Sequence, residues 1–547
     1  MEQRKTKSYT LSAALWCLLI FSPLARADTP PDYKIIYNWD GAPHGYTPYP
    51  QTLEQFLQKT FAPIKDTQVG ALFFCVGEHE ATWPSTKLEL SGNTLGRRYQ
   101  SVRAFTHHEN IRAMLDRGEN PYQAMVERGR QLGIEVYVSI RMNDNHFNGL
   151  QLDDMATTSM SGLTQLRKDH PEWCLGPEDA PPWFALSWNM AIPEVREHRF
   201  QFIREAIEQA DWDGVELDWQ RHGFHLPAKH GARLSYTLTD LQRQVRKLTN
   251  GIARRRGRPF HVAVRVATTM ESCRKIGYDL KTWVKEGLCD MIIAGGGAGT
   301  DPGVDVEAFR ELIRGAPITF YPGFDSGFWG KHDGLVPHEE WQRRSFRGWA
   351  KSYWERGSNG MYVFNWHGDE LTRRDLLTTM GAPETLGGTD KVFAALHRNI
   401  RESGNWAGAD LNDRIYGTTP VELYRTLTAS GPHFLIGVHD DVVREAEAGR
   451  VESVELHVEL EHFAPGDRVA VSLDGRALGP VKVRIVPGAG SSAPYEVNNA
   501  SWLVWSLQPP QASKGSHDVG IRLLERNPLL RPPLVIRLVE FHVNYRS

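Results

Sequence analysis

Short apolar runs recur along the first 380 residues, and amphipathic stretches of helical period lie between them. The runs are Tyr33–Trp39, Val69–Val76, Ile134–Arg141, Gly214–Trp219, Phe260–Ala267, Asp290–Ala294, Ile318–Tyr321 and Gly360–Trp366. Most are nearly continuous in hydrophobicity, as strands covered on both faces are. Between them, Leu53, Phe56, Leu57, Phe61 and Ile64 fall on one helical stripe, and Val195, Phe202, Ile203 and Ala206 on another. Leu234, Leu238, Leu241, Val245, Leu248 and Ile252 make a third, and Trp341–Trp354 a fourth. Eight strand-then-helix alternations predict a (β/α)8 TIM barrel over 28–384. An open doubly wound sheet is the competing arrangement, but no glycine-rich phosphate loop follows an early strand. Gly295-Gly296-Gly297 lacks that spacing and reads as a tight loop.

After about residue 415 the period changes to two. Val454, Leu456, Val458 and Leu460 alternate with polar residues, as do Val469, Val471 and Leu473 before an Asp474-Gly475 turn, and Val539, Phe541, Val543 and Tyr545 near the end. This predicts a C-terminal antiparallel β-sandwich domain over 415–547, joined to the barrel by a connector at 385–414. Residues 1–27 have the features of a cleavable signal peptide: Arg4, Lys5 and Lys7, then an apolar stretch from Leu11 to Phe21, then Ala25-Arg26-Ala27. Cleavage after Ala27 would remove four basic residues and one acid, taking the net charge from −3 to −6. A secreted or periplasmic protein is expected, with no membrane span in the mature chain. The negative charge argues against nucleic acid as a partner. Four cysteines remain, Cys75, Cys174, Cys273 and Cys289, in no zinc-type spacing. Export would permit a disulfide, and its pairing stays open. The 17 tryptophans exceed ordinary use and suit stacking on flat ligands as well as core packing.

In such a barrel the chemistry sits at the C-terminal strand ends and in the loops that follow. The segments after the second strand (about 77–119) and the third (about 142–193) are long enough to shape a cleft, and the latter carries Trp173, Trp183 and Trp188. The fourth strand reads Asp213-Gly214-Val215-Glu216-Leu217-Asp218-Trp219-Gln220-Arg221-His222. Alternation puts Glu216 and Asp218 on one face, toward the barrel axis, with Asp218 at the mouth and Glu216 one layer deeper. Buried carboxylates are costly unless paired or used, and Arg141 and Arg265 are the inward cations available for a purely structural ion network.

Paired carboxylates across a cleft are what glycosidic cleavage needs. Asp218 is the candidate nucleophile or base with Glu216 in support. Candidates for the proton donor are Glu271, Asp325 and Glu78, with Asp40 and Asp144 also at strand ends. Asn38, Asn143, His146, His222 and Asn365 could bind hydroxyls, and Trp39, Trp219 and Trp366 could stack on a sugar or fill the core. Glu78-His79-Glu80, His146, His222 and His225 offer metal-ligand types, but without a His-x-His strand or a His-Glu-x-x-His helix. The expectation is therefore no metal and no cofactor. A Gly-x-Ser-x-Gly nucleophile elbow is missing from the barrel strands.

The Pro193-Glu194-Val195-Arg196 helix start leading into Asp213-Gly214-Val215-Glu216-Leu217-Asp218 resembles the bacterial glycosyl-hydrolase-like family 10 proteins, where a Pro-Glu-Val-Arg helix leads into an Asp-Gly-Ile-x-x-Asp strand. That resemblance spans the barrel and implies a TIM-barrel glycosidase. The strand is also similar to the fourth strand of the alpha-amylase family, Asp-Gly-x-x-x-Asp-x-x-Lys-His, which implies a nucleophile at Asp218 with Arg221-His222 near the Lys-His pair. It differs in carrying Glu216 where the amylases have Arg, and the fifth strand shows no clear match to the amylase acid. The expected activity is that of an exported glycoside hydrolase acting on a poly- or oligosaccharide. The rival readings are a glycan-binding barrel without catalysis and a metal-dependent carbohydrate hydrolase or deacetylase. Sugar, linkage and oligomeric state are not set by the sequence.

Overall fold

The computed structural model describes residues 30–39, 48–77, 79–147, 149–295, 303–325, 336–366, 371–397, 418–424, 431–479, 481–486 and 500–546. Eight parallel strands close a barrel in sequence order: β1 Ile35–Trp39, β2 Val69–Cys75, β3 Glu135–Arg141, β4 Gly214–Asp218, β5 His261–Val266, β6 Met291–Ala294, β7 Thr319–Asp325 and β8 Met361–Phe364. Closure is completed by β8 pairing with β1. This is the TIM barrel the apolar runs predicted, with β7 reaching four residues further, to Asp325.

The helical stripes bury where the period places them. Phe56, Leu57 and Phe61 pack from the helix Leu53–Phe61, whose start is fixed by a Thr52–Gln55 capping box. Val195, Phe202, Ile203 and Ala206 pack from Pro193–Glu208, and Leu238, Leu241 and Val245 from Gly231–Arg256. These meet the outward faces of the strands in one large core. A second, smaller core fills the barrel itself, from Ile36, Ala71, Phe73, Tyr137, Ala263, Met291, Ile293, Tyr321, Tyr362 and Phe364. Gly214 is required there, because a Cβ would lie 2.3 Å from the Tyr137 ring. The segment after β2, read as a long loop, contains the helix Val102–Asp116. Its inward positions include the polar Thr106, His108, Glu109 and Asn110, so no apolar stripe announces it.

The tail is an antiparallel sandwich. Its further strands are β9 Lys391–Ala394, β10 Leu396–His397, β11 Thr418–Thr419, β12 Val421–Leu423, β13 His433–Val438, β14 Val451–Glu461, β15 Arg468–Leu473, β16 Arg476–Ala477, β17 Lys482–Val486, β18 Ala500–Ser506, β19 Gly515–Glu525 and β20 Leu534–Tyr545. One sheet runs β12-β20-β14-β18-β17 with β9 also on β20, and the other runs β13-β19-β15-β16. The alternating apolar residues of both sheets form a single core that includes Phe434, Ile436, Leu456, Val471, Ile521 and Phe541. β9 lies within the segment read as a connector. It joins the sheet because Val392 packs with Trp341, Trp502, Val504 and Leu538. That cluster docks the sandwich on the barrel helix His338–Glu355, helped by Trp341 Nε1 donating to Glu540 at 2.9 Å. The four cysteines of the described residues are free thiols, so none forms the disulfide that export would allow. Among the described residues no helix is long and apolar enough to cross a membrane.

Candidate functional site

Three inward rungs run across β3, β4 and β5 in register: Tyr137, Gly214 and His261, then Ser139, Glu216 and Ala263, then Arg141, Asp218 and Arg265. Glu216 and Asp218 thus sit one layer apart on the axis side, both buried. The two carboxyls are held by different chemistry. Glu216 takes only neutral donors: Asn38 Nδ2 at 2.6 Å and Ser139 Oγ at 2.5 Å on Oε2, and Tyr362 Oη at 2.8 Å on Oε1. Burial, and then the negative charge of Asp218 above it, push Glu216 up to about 7. The structural ion bridge from Glu216 to Arg141 or Arg265 is therefore not what forms.

Asp218 holds the cation instead. Its Oδ1 accepts from Arg265 Nε at 2.9 Å and from the backbone amides of Gln220 at 3.1 Å and Arg221 at 3.0 Å. Its Oδ2 is buried and meets no donor among the described residues. Arg265 also lies 4.0 Å from the centre of the Phe364 ring, which fixes the guanidinium over the barrel floor. Asp325, at the end of β7, is a further buried acid of this mouth, and it acts electrostatically on the same Arg265.

Beside this pair lies a second polar cluster. Arg141 ends β3 and pairs with Asp144, whose Oδ1 is 2.5 Å from His146 Nδ1 and 3.1 Å from His222 Nδ1. Burial alone would raise Asp144, but His146 and Arg141 outweigh it and hold the carboxyl well below the usual range. Arg221 Nη2 meets His146 Nε2 at 2.9 Å, and the Asn145 amide donates to His222 Nδ1 at 2.8 Å. Burial pushes His222 down to about 3. His79 donates from Nε2 to the Asp144 carbonyl at 2.9 Å while Arg167 donates to its Nδ1 at 3.3 Å. Asp144, His146 and His222 place ligand-type atoms within 4.8 Å of one another. His79 and His225 do not join them.

Several candidates lie elsewhere. Glu271 is exposed in the first turn of Met270–Ile276 and paired with Arg274, so it does not face the mouth and is corrected to a surface residue. A three-residue turn after β5 carries it past the rim. Trp39, Trp219 and Trp366 are all buried in the core between strands and helices, not laid open as sugar platforms. Trp219 packs against His225, Tyr278 and Trp283, and Trp366 against Phe346 and Arg373. Trp39 and Trp219 each follow an inward residue by one position, and alternation sends them outward; Trp366 follows the inward Phe364 by two and is turned to the helix layer past Asn365. Asn143 braces the long third loop, bonding Trp188 and Phe224 backbone atoms at 2.7–2.9 Å. Asn365 is half-buried with φ +51°. Glu78 and Asp40 lie outside the described residues. Ser139, Tyr362 and Gln220 were not singled out. The first two are polar residues at inward positions of otherwise apolar strands, and that misfit was readable. Two open clefts, of about 410 and 630 Å³, lie at the opposite, N-terminal strand ends, near Tyr33 and Glu135 and near Arg310 and Asn359. Neither touches the acids.

No family model matches the chain, and no curated protein matches it. Among solved structures the fold is similar to a class V chitinase from Nicotiana tobaccum, at 12% identity and TM-score 0.35, covering 64% of this chain and 98% of that one. It is also similar to the PgaB (BpsB) glycoside hydrolase domain from Bordetella bronchiseptica, at 12% identity and TM-score 0.36, covering 64% and 99%. A glycoside hydrolase family 18 N-acetylglucosaminidase from Paenibacillus barengoltzii is similar at 10% identity and TM-score 0.34, covering 64% and 100%.

Proposed function

We propose that the protein is an exported glycoside hydrolase that cleaves a poly- or oligosaccharide at the mouth of its barrel. The observation that carries this reading is the division of labour within one carboxylate. Asp218 Oδ1 is clamped by Arg265 and two backbone amides, while Oδ2 is aimed by that clamp and left without a donor among the described residues. A nucleophile or base needs that combination of fixed orientation and one available oxygen. Asp325, on a strand three further round the barrel, is the proposed proton donor to the leaving oxygen. Asp218 then attacks the anomeric carbon or takes the proton of a water, and the spacing of the two carboxyls sets which. Glu216, carrying a proton near neutrality beneath Asp218, limits the negative charge stored in the pocket while the sugar develops positive charge. Residues 1–27, read as the signal peptide, supply the proposed route out of the cell.

The test is a polysaccharide and oligosaccharide panel, with products followed by NMR to read their anomeric configuration. Asp218→Asn should lower turnover by about 10³-fold or more while thermal unfolding stays cooperative. Cleavage by that variant at the wild-type rate would end the assignment. Binding by the wild type with no bond broken would favour the glycan-binding barrel.

A further inference from the structure

Five buried polar atoms within one connected network have no hydrogen-bond partner among the described residues. They are Asp218 Oδ2, Arg265 Nη2, Asn38 Oδ1 and both side-chain atoms of Gln220. Arg265 bonds Asp218, Asn38 bonds Glu216 directly beneath, and the Gln220 amide nitrogen of the backbone bonds Asp218. Burying a polar group unpaired is costly, so several linked ones mark a place where something outside the chain completes the bonds. Gln220 has no exposed surface and neither end of its amide used. Trp219 turns into the helix layer, against Trp283 and Tyr278, and its amide bonds the Arg265 and Leu217 carbonyls, each at 3.1 Å. Strand pairing ends at Asp218, and Gln220 follows in the turn whose amides close on Asp218 Oδ1, two residues from that carboxylate.

We propose that Gln220 is the specificity-determining residue of the pocket, and that its amide grips two adjacent hydroxyls of a neutral sugar held at Asp218. The planar amide presents a donor and an acceptor side by side. Adjacent hydroxyls present the complementary pair, one accepting from Nε2 and the other donating to Oε1. A carboxylate or phosphate ligand would satisfy only the donor and would face Asp218. This inference rests on the carbohydrate reading above and adds which residue selects the ligand.

The test compares Asp218→Asn with the double variant Asp218→Asn/Gln220→Met, both blocked in turnover, on an array of neutral hexasaccharides of the glucan, xylan, mannan and N-acetylglucosamine series. Methionine keeps the volume and removes both unpaired polar atoms. The expected result is an affinity at least ten-fold weaker for the double variant. Gln220→Met alone, without ligand, should unfold about 2 °C higher, since an unpaired amide is a burden to the empty fold. Affinity within two-fold of the single variant overturns the role of Gln220 and leaves the carbohydrate reading intact. A lower unfolding temperature for Gln220→Met overturns it as well, because the amide would then be bonded within the protein. Array binding that needs Gln220, with no hydrolysis by the wild type, keeps the proposal and removes the hydrolase. Binding to no array member by wild type or Asp218→Asn overturns both.

Discussion

Arg265 Nε and Asp218 Oδ1 meet at 2.9 Å from neighbouring strands in direct register, with both side chains almost wholly buried. A buried pair of this kind resists the loss of either member, because the survivor is an uncompensated charge. Arg265→Met and Asp218→Asn should therefore each cost about 3–5 kcal/mol in stability, since either leaves one charge buried without its partner. Chemical denaturation of both variants measures the losses. A loss below about 1 kcal/mol for either would mean that the pair is not the electrostatic anchor of the mouth.

Glu216 lies directly beneath, and its raised titration has a definite sign. The folded protein keeps this proton up to about pH 7, while the unfolded chain releases it near 4.5. Stability from this group is complete below the unfolded value and is lost as pH rises toward 7, by about 3 kcal/mol in all. Glu216→Gln keeps acceptors for Asn38 and Ser139 and cannot ionise. The difference in stability between wild type and Glu216→Gln should thus grow in favour of the variant between pH 5 and pH 8. A difference that stays level over that range would show that Glu216 is ionised throughout.

The barrel was legible because its strands are covered on both faces and its helices carry unbroken stripes. The same pattern located Glu216 and Asp218, since Val215 and Leu217 must face the helices. What it did not reveal depends on distance through space. Nothing local to β4 says that Arg265 pairs with Asp218 and that Asn38, Ser139 and Tyr362, from three other strands, surround Glu216. The tryptophans misled for a related reason. Trp39, Trp219 and Trp366 stand at strand ends, where a platform is wanted, but alternation sends the first two to the helix layer and the positive-φ Asn365 turns the third there. Glu271 misled because a strand end says little about a side chain that has already entered the next helix.

That last correction has its own check. Glu271 is more than half exposed and engaged with Arg274 one turn away. Exposed pairs of this kind contribute little to stability. Glu271→Gln should leave both unfolding temperature and turnover on the panel substrate within experimental scatter of wild type. A loss of turnover approaching that of Asp218→Asn would return Glu271 to the mechanism.

Buried histidines set the acid limit. Burial holds His198 and His222 down to about 3, His107, His108 and His225 to about 4, and His79 well below its usual range. The unfolded chain takes up these protons near pH 6.5 and the folded one does not. Their contribution is present above pH 6.5 and lost as pH falls, by about 1.4 kcal/mol per histidine for each pH unit. Glu216 works in the opposite direction over part of the same window, as do Glu80 and Glu89, which burial also raises, against these six histidines and the likewise lowered His261 and His439. The unfolding temperature should fall steadily from pH 7 to pH 5, with net proton uptake on unfolding. A rise over that range would mean that these rings are protonated in the folded state.

The Asp144, His146 and His222 cluster makes a metal the remaining chemical question, and the hydrogen bonds answer it in a testable way. An arginine can only donate, so Arg221 at 2.9 Å takes the lone pair of His146 Nε2 and leaves the proton on Nδ1, facing Asp144. The Asn145 amide takes the lone pair of His222 Nδ1. Neither imidazole then presents a free lone pair to the space the three residues share, and Arg141 already occupies the other oxygen of Asp144. A divalent cation would have to displace these partners and sit between two guanidinium groups. Incubation with EDTA followed by gel filtration should therefore leave turnover and unfolding temperature unchanged, with less than about 0.1 equivalent of zinc by mass spectrometry in the untreated protein. Loss of turnover on chelation that Zn²⁺ restores, and that His146→Ala abolishes, would mean that the cluster rearranges around a metal and that the chemistry runs there in place of Asp218.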